Sequence, residues 1–461
     1  MDAAAATCPL CLRPGAVPVL AFEQPSARVL IELIAHNHPR WSPEQGLCRR
    51  CLAKFDRLLV RLRQYHPAFA DRTYWIIPTP VRLDTDDRYT GRGVTIAFLD
   101  SGFYVHPDLV KPDNRIRAYV NILKEHASVE ELNQEITQPH VDAWHGMMTS
   151  VVAAGNGYLS HGVYRGIAYE ATVVLVKVGS IHRITHDDIR RGIEWVIAHR
   201  HEYGIRVLNI SCGGDYEASY LVDPLAQAAD AAVRAGIVVV AAAGNKGHEP
   251  RHPVIAPANA PSVITVGGLD DNNQLDWSGF RMYRSSYGPT LDGLQKPEII
   301  APSIWLAAPI LPGTPVADQA RLLELICQAP LRRVKAVLQA HPGVEPILDQ
   351  ASDQSPVALQ KLARHLMRAN NVISQHYKHV DGTSFAAPIV SSIVAQMLQA
   401  NPQLTPQQVK LALIESARRL PRYDVDKQGW GVINPRRAIR RALGWAQMPL
   451  PHDEQPHRNG S

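Results

Sequence analysis

Five short runs rich in β-branched residues set the strongest constraint on this chain: "VTIAFLD" at 94–100, "TVVLVKVG" at 172–179, "RVLNIS" at 206–211, "IVVVAAAGN" at 237–245 and "SVITVGG" at 262–268. Each is apolar almost without interruption and stops at Gly, Asp, Asn or Ser. A strand with one wet face would alternate, so these strands need cover on both sides. The cover lies between them, in stretches such as "HDDIRRGIEWVIAHRHEYG" and "DPLAQAADAAVRAG" with apolar residues at helical spacing. Strands alternating with helices predict an α/β fold, a mostly parallel sheet with helices on both faces.

In such a sheet, reactive groups gather beyond the carboxyl ends of the strands. Asp100 ends the first run and Asn245 the fourth, while His145 opens the helical stretch "WHGMMTSVVAAGNG" and Ser384 opens "GTSFAAPIVSS". Taken singly, they read as turn formers and helix caps. Together, in the order Asp, His, Asn, Ser, they supply what amide hydrolysis at neutral pH requires. Ser384 is the candidate nucleophile, His145 the general base and then acid, and Asp100 the carboxylate that orients the imidazole. Asn245 offers its side-chain NH₂ to the oxyanion, together with the backbone N–H of Ser384.

These residues sit in blocks that resemble the subtilisin-like serine proteases, the subtilases: "VTIAFLDSG" around Asp100, "HGMMTSVVAAGN" around His145 and "DGTSFAAPIVSS" around Ser384. Supporting blocks are "HPDL" at 106–109, "LNISCGG" at 208–214, "AAAGN" at 241–245, "PANAPSVITVGG" at 257–268 and "KPEIIAPS" at 296–303, in family order over residues 80–445. The resemblance implies a parallel-sheet subtilisin-like fold and a protein or peptide substrate. It makes "LNISCGG" the edge strand that pairs with substrate and "AAAGN" the opposite wall, so that Ser211, Cys212, Gly213, Ala243 and Gly244 become candidate substrate-binding residues. Asp215 just beyond either favours basic side chains or is a solvated loop residue. Many relatives bind calcium, and Asp108 of "HPDL" matches a ligand position in some of them. Met147 stands where a threonine is common, and secreted members carry an inhibitory propeptide where this chain carries cysteine pairs. The alternative reading is a catalytically inert peptide-binding or scaffold protein whose cleft the insert described below blocks.

Outside these blocks, residues 1–75 form a candidate zinc module. Cys8, Cys11, Cys48 and Cys51 make two C-x-x-C pairs, which suit a tetrahedral structural zinc, with His36 and His38 as substitutes for one cysteine. Cys212 and Cys327 remain as reduced, structurally bland thiols. Residues 1–75 hold ten Lys and Arg against six Asp and Glu, and four thiolates on zinc reduce that excess, so a protein partner is expected there and nucleic acid is not. A zinc-dependent nucleic-acid binder that also carries a peptidase would instead bind DNA or RNA with a salt-dependent affinity. Within the peptidase domain, 76–445, a helical insert spans about 304–379, where Leu331, Val334 and Leu338, and then Leu359, Leu362 and Leu366, recur at i, i+3 and i+7. Residues 446–461 read as a disordered tail. Across the chain, 48 Lys and Arg against 43 Asp and Glu leave too small an excess to call for a polyanion, and no run is long and apolar enough to cross a membrane. The start, "MDAAAATCPLC", lacks the basic and apolar regions of a secretory signal, which sets the expectation of a cytoplasmic protein with an activity regulated by the module or the insert.

Overall fold

A computed structural model describes residues 7–17, 25–38, 40–70, 76–124 and 126–446; the tail beyond lies outside the described residues. Seven parallel strands form, all but β2 and β7 from the five apolar runs: β1 (Thr95–Asp100), β2 (Ile116–Asn121), β3 (Thr172–Lys177), β4 (Ile205–Ile210), β5 (Val238–Ala242), β6 (Ile264–Asp270) and β7 (Ile299–Pro302). Their order is β7-β6-β5-β4-β1-β3-β2, with a two-residue antiparallel strand, Arg281–Met282, beside β6. All six residues of β1 are buried, as a central strand requires. Ile96 and Phe98 join one core with helices Ala143–Ala154 and Thr383–Ala400, while Ala97 and Leu99 join the other with His186–His199 and Pro224–Arg234. The uninterrupted hydrophobicity of "VTIAFLD" thus serves two cores at once.

From β1 the chain departs to β2 and β3 on one side, and from β4 to β5, β6 and β7 on the other. The neighbours β1 and β4 therefore form the switch point, where loops part and leave a crevice at the carboxyl edge.

The N-terminal residues fold as α1 (Pro25–Asn37) and α2 (Arg49–Tyr65), with a two-residue strand pair, Ala16–Val17 and Leu47–Cys48, beside them. Their core does not close on itself. Leu33, Phe55, Leu62 and Phe69 pack in one cluster with Ile77, Val81, Tyr164, Ile373 and Tyr377 of the following chain. Polar links cross the same seam: Tyr65 donates its hydroxyl to the Val163 carbonyl at 3.1 Å, and Lys54 donates to the Gln274 side-chain carbonyl at 2.7 Å.

Beyond β7, the strands β8 (Leu306–Pro309) and β9 (Tyr377–Val380) pair antiparallel, Pro309 opposite Tyr377. Between them stand four helices, Pro315–Gln328, Leu331–Gln339, Pro346–Gln350 and Pro356–Ala369. Leu322, Ile326, Val334, Leu338, Leu359 and Leu366 form a separate core among them. The periodic leucines mark the second and fourth of these helices, although Leu331 itself is exposed. The base of the excursion lies beside the segment leading to His145: a Cβ on Gly313 would be 3.6 Å from Pro139.

Candidate active site

Asp100 is the last residue of β1, and its carboxylate accepts from His145 Nδ1 at 2.7 and 2.9 Å. The Ser101 N–H at 2.8 Å and the Thr149 hydroxyl at 3.2 Å also donate to it. Asp100 is 1% exposed, whereas the His145 side chain keeps 17%, so the carboxylate is fixed while the imidazole is reachable. Burial opposes charge on His145, but the charge and hydrogen bond of Asp100 outweigh it and hold its pKa above 6.5. Close packing makes this pair: a Cβ on Gly146 would lie 2.2 Å from the Gly102 carbonyl and 2.9 Å from Asp100 Cβ, so only glycine lets the His145 helix approach β1. Met147 is fully buried in the core on that side.

Ser384 is the second residue of the helix Thr383–Ala400. Four residues on, Pro388 has no N–H, which frees the Ser384 carbonyl; that carbonyl accepts from the Ser211 hydroxyl at 2.8 Å. The helix start is thereby fastened to the end of β4. The Ser384 hydroxyl donates to the Ser211 carbonyl at 3.1 Å, and among the described residues it makes no bond to His145. The His145 ring lies 5.6 Å from that of Phe385, the next residue. The structure brings Asp100 to His145 and Ser384 to the adjoining strand end, and leaves the Ser–His bond unmade.

Asn245 lies three residues past β5, and its Oδ1 accepts from both the N–H and the hydroxyl of Thr383 at 3.0 Å. The backbone donor fixes which end of the amide is oxygen, so Nδ2 points away from Thr383 with no partner among the described residues. It is free to donate. A Cβ on Gly382 would lie 3.8 Å from this Nδ2, placing it beside the helix start that carries Ser384. Ser384, His145 and Asn245 are all partly exposed, so the insert does not bury them.

Around this centre, β4 lies between β1 and β5 and is not an edge strand; both of its sides are already paired. What extends past the sheet is Ser211–Gly214, and the Gly214 N–H is taken by the Ala256 carbonyl at 2.9 Å. Ser211 is bonded to Asn209 and Ser384, and the Cys212 thiol, half-buried above the Leu99 carbonyl, has its pKa pushed up by burial. Gly213 faces Ile255, Ala243 is 2% exposed, and Gly244, at φ +97°, donates its N–H to the Thr383 hydroxyl. Asp215 is an exposed loop residue, and it is paired: His186 Nδ1 lies 2.6 Å from its carboxylate. Three supporting residues escaped the sequence reading. Thr149 was findable as the i+4 neighbour of His145 on one helix face; Gly146 and Thr383 matter through contacts that no local pattern displays.

Cys8, Cys11, Cys48 and Cys51 place their sulfurs within 4.8 Å of one another, and Cys11 and Cys48 are 3.5 Å apart. A tetrahedral ion with Zn–S bonds of about 2.3 Å needs sulfurs roughly 3.8 Å apart, so the donor set fits zinc. Burial works against a thiolate at Cys8, yet backbone N–H groups of Cys48, Leu10 and Cys11 pull its pKa down to about 6. His36 and His38 are outside this group, so four sulfurs suffice without them. Asp108 does not fit the calcium expectation: its oxygens accept from the Tyr377 hydroxyl at 2.6 Å and the Leu159 N–H at 3.0 Å, and burial raises its pKa. Among the described residues no helix is long and apolar enough to cross a membrane.

Comparison with known proteins bears on the family and the fold. The profile described as "Subtilase family" matches residues 91–431. Serine protease AprX of Bacillus subtilis is 32% identical over 358 residues, covering 76% of this chain and 67% of that protein. Subtilisin E of Bacillus subtilis is 32% identical over 230 residues, 49% of this chain and 51% of its own length. Fervidolysin from Fervidobacterium pennivorans, a keratinolytic enzyme related to subtilisin, has the same fold, with a TM-score of 0.54 at 22% identity over 84% of this chain and 47% of that one. The chain belongs to the subtilase family of serine proteases.

Proposed function

We propose that this chain is an endopeptidase that cleaves peptide bonds through Ser384, His145 and Asp100, with Asn245 as an oxyanion donor. The observation that carries the reading is the buried Asp100 carboxylate on His145 Nδ1, with the Ser384 helix start fastened one strand away. In this reading the Ser384 hydroxyl turns from Ser211 to His145 as substrate binds. Its oxygen forms a bond to the scissile carbonyl carbon while His145 Nε2 takes the proton. The negative oxygen is met by Asn245 Nδ2 and the Ser384 N–H. His145 then returns its proton to the leaving amine as the C–N bond breaks, and water repeats the sequence to release the acyl group. Ser211, Cys212 and Gly213, with Ala243 and Gly244, are the walls for the substrate chain.

The four cysteines would hold a structural zinc, because four thiolates leave no open coordination position. Unbridged thiols suit a reducing, cytoplasmic setting. Regulation by the module has a physical route: Tyr377 packs in the module's core and belongs to β9, whose end lies four residues before Ser384. Fluorophosphonate labelling of the full chain tests the reading. Labelling should be lost in Ser384→Ala with the fold intact; labelling that persists there removes Ser384 as the nucleophile.

A further inference from the structure

A second concavity lies away from Ser384 and contains none of the triad residues. It is a cavity of about 730 Å³ between α2 and the loop that leaves the carboxyl end of β6. One wall is a ladder on α2: Arg50, Lys54, Arg57 and Arg61 fall at i, i+4, i+7 and i+11, one face of the helix, along about 16 Å. Arg13 joins them. Lys54 is held by Gln274 at 2.7 Å and faces Asp276 at 3.8 Å, and Arg61 by Asp84 at 2.9 Å. Arg13, Arg50 and Arg57 are exposed and have no carboxylate partner among the described residues.

Cys11 and Cys51 also line this cavity, so a loaded zinc site with a charge of about −2 would answer part of the positive charge at one end. Arg50 adjoins Cys51, but Arg57 and Arg61 lie about 9 and 15 Å further along the helix, beyond that reach. The floor is Leu10, Phe55 and Leu275. Leu10 and Leu275 are half-buried and give an aliphatic side chain a contact, while Phe55, 4% exposed, offers stacked bases no platform.

We infer that this groove binds an acidic segment of a polypeptide, with carboxylates along the ladder of α2 and an aliphatic side chain on Leu10 and Leu275. The cations are spaced by helical turns, close to the repeat of alternate side chains in an extended peptide. The inference does not rest on the proposed catalysis, since the groove contains none of the triad residues.

The test uses the zinc-loaded full chain carrying Ser384→Ala, so that binding is read without cleavage. The probe is fluorescein-labelled Glu-Glu-Leu-Glu-Glu-Leu, followed by anisotropy. Its affinity should weaken as salt rises from about 0.05 to 0.5 M, and fall at least about tenfold in Arg50→Glu with Arg57→Glu. The neutral pair Arg50→Gln with Arg57→Gln should lose less than the reversal. Equal affinity for the Lys-Lys-Leu-Lys-Lys-Leu peptide overturns the inference, as does unchanged binding in the reversed variant. Tighter binding of a labelled 20-residue oligothymidylate, lost in that variant, assigns the groove to nucleic acid and overturns it too.

Discussion

Replacing Asp100 by asparagine changes one atom at the most constrained position of the site. The carboxylate receives His145 Nδ1 at 2.7 Å, the Ser101 N–H at 2.8 Å and the Thr149 hydroxyl at 3.2 Å. Ser101 keeps the amide oxygen at the Oδ1 position, so the new NH₂ stands at Oδ2, 2.9 Å from His145 Nδ1 and 3.2 Å from the Thr149 hydroxyl. An N–H aimed at Nδ1 moves the imidazole proton to Nε2, where the Ser384 hydroxyl then meets a donor and not a base. The expected loss is about 10⁴-fold in kcat, or about 5.4 kcal/mol of transition-state stabilisation. The exchange also has a pH signature. Only neutral His145 accepts a proton, so kcat/KM rises with pH through its pKa, which Asp100 holds above 6.5 against the opposing effect of burial. Without the carboxylate, burial acts alone, and the midpoint should move below 6.5. Steady-state hydrolysis of a short chromogenic peptide from roughly pH 5 to 9, normalised by active-site titration, measures both. A variant that retains more than about a tenth of the parent rate, or keeps its midpoint, refutes the assignment of Asp100.

Asn245→Ala should lower kcat by about 10²–10³-fold with little change in KM, because the donor acts on charge formed in the transition state; a pure KM effect in steady-state kinetics contradicts this. Gly146→Ala should cost about 10²-fold or more in kcat/KM, since the added Cβ meets the Gly102 carbonyl at 2.2 Å and the helix must carry His145 away; a near-normal rate would mean the approach is loose. Tyr377→Phe strips a donor from the buried Asp108 and should cost about 1–3 kcal/mol in urea unfolding. Burial raises the Asp108 pKa and the tyrosine bond lowers it, so the cost should be largest near neutrality and shrink as pH falls and the carboxyl protonates. Elemental analysis should find about one zinc per chain, and its removal should lower the melting temperature. A chelated protein that stays folded but loses peptide cleavage at once would place the metal in the chemistry.

The central strands were legible because short apolar runs ended by turn residues alternate with helical stretches, as in the six buried residues of β1, whereas the edge strand β2, half-exposed, carries no such run. The four candidate groups were legible because each ends or opens such an element. What stayed hidden was every partner fixed by distance in space. Nothing in "DGTSFAAP" shows that Thr383 will bond Asn245, 138 residues earlier. Nothing in "HPDL" shows that Asp108 will be claimed by Tyr377, 269 residues later, in place of an ion. The reading of residues 1–75 as a unit rested on cysteine spacing, which is local, whereas the packing that joins them to Tyr164 and Tyr377 is not.

That packing makes the N-terminal residues part of how Ser384 is held. Tyr377 presses its ring into the core that includes Cys8 and Leu33, while its hydroxyl bonds Asp108 within the short helix Pro107–Val110. On the other side, β9 pairs with β8, and the Gly382 N–H donates to the Ser303 carbonyl at 2.9 Å just before the turn into Ser384. The backbone that presents Ser384 is therefore fastened at both Tyr377 and Gly382. Loosening the first anchor leaves the second, and Ser211 still holds the helix start at 2.8 Å. A disturbance of the cysteine cluster should thus reach Ser384 as a weakened strand and not as a misplaced hydroxyl. In kinetics this appears as a smaller fraction of titratable sites, with the turnover of each remaining site preserved.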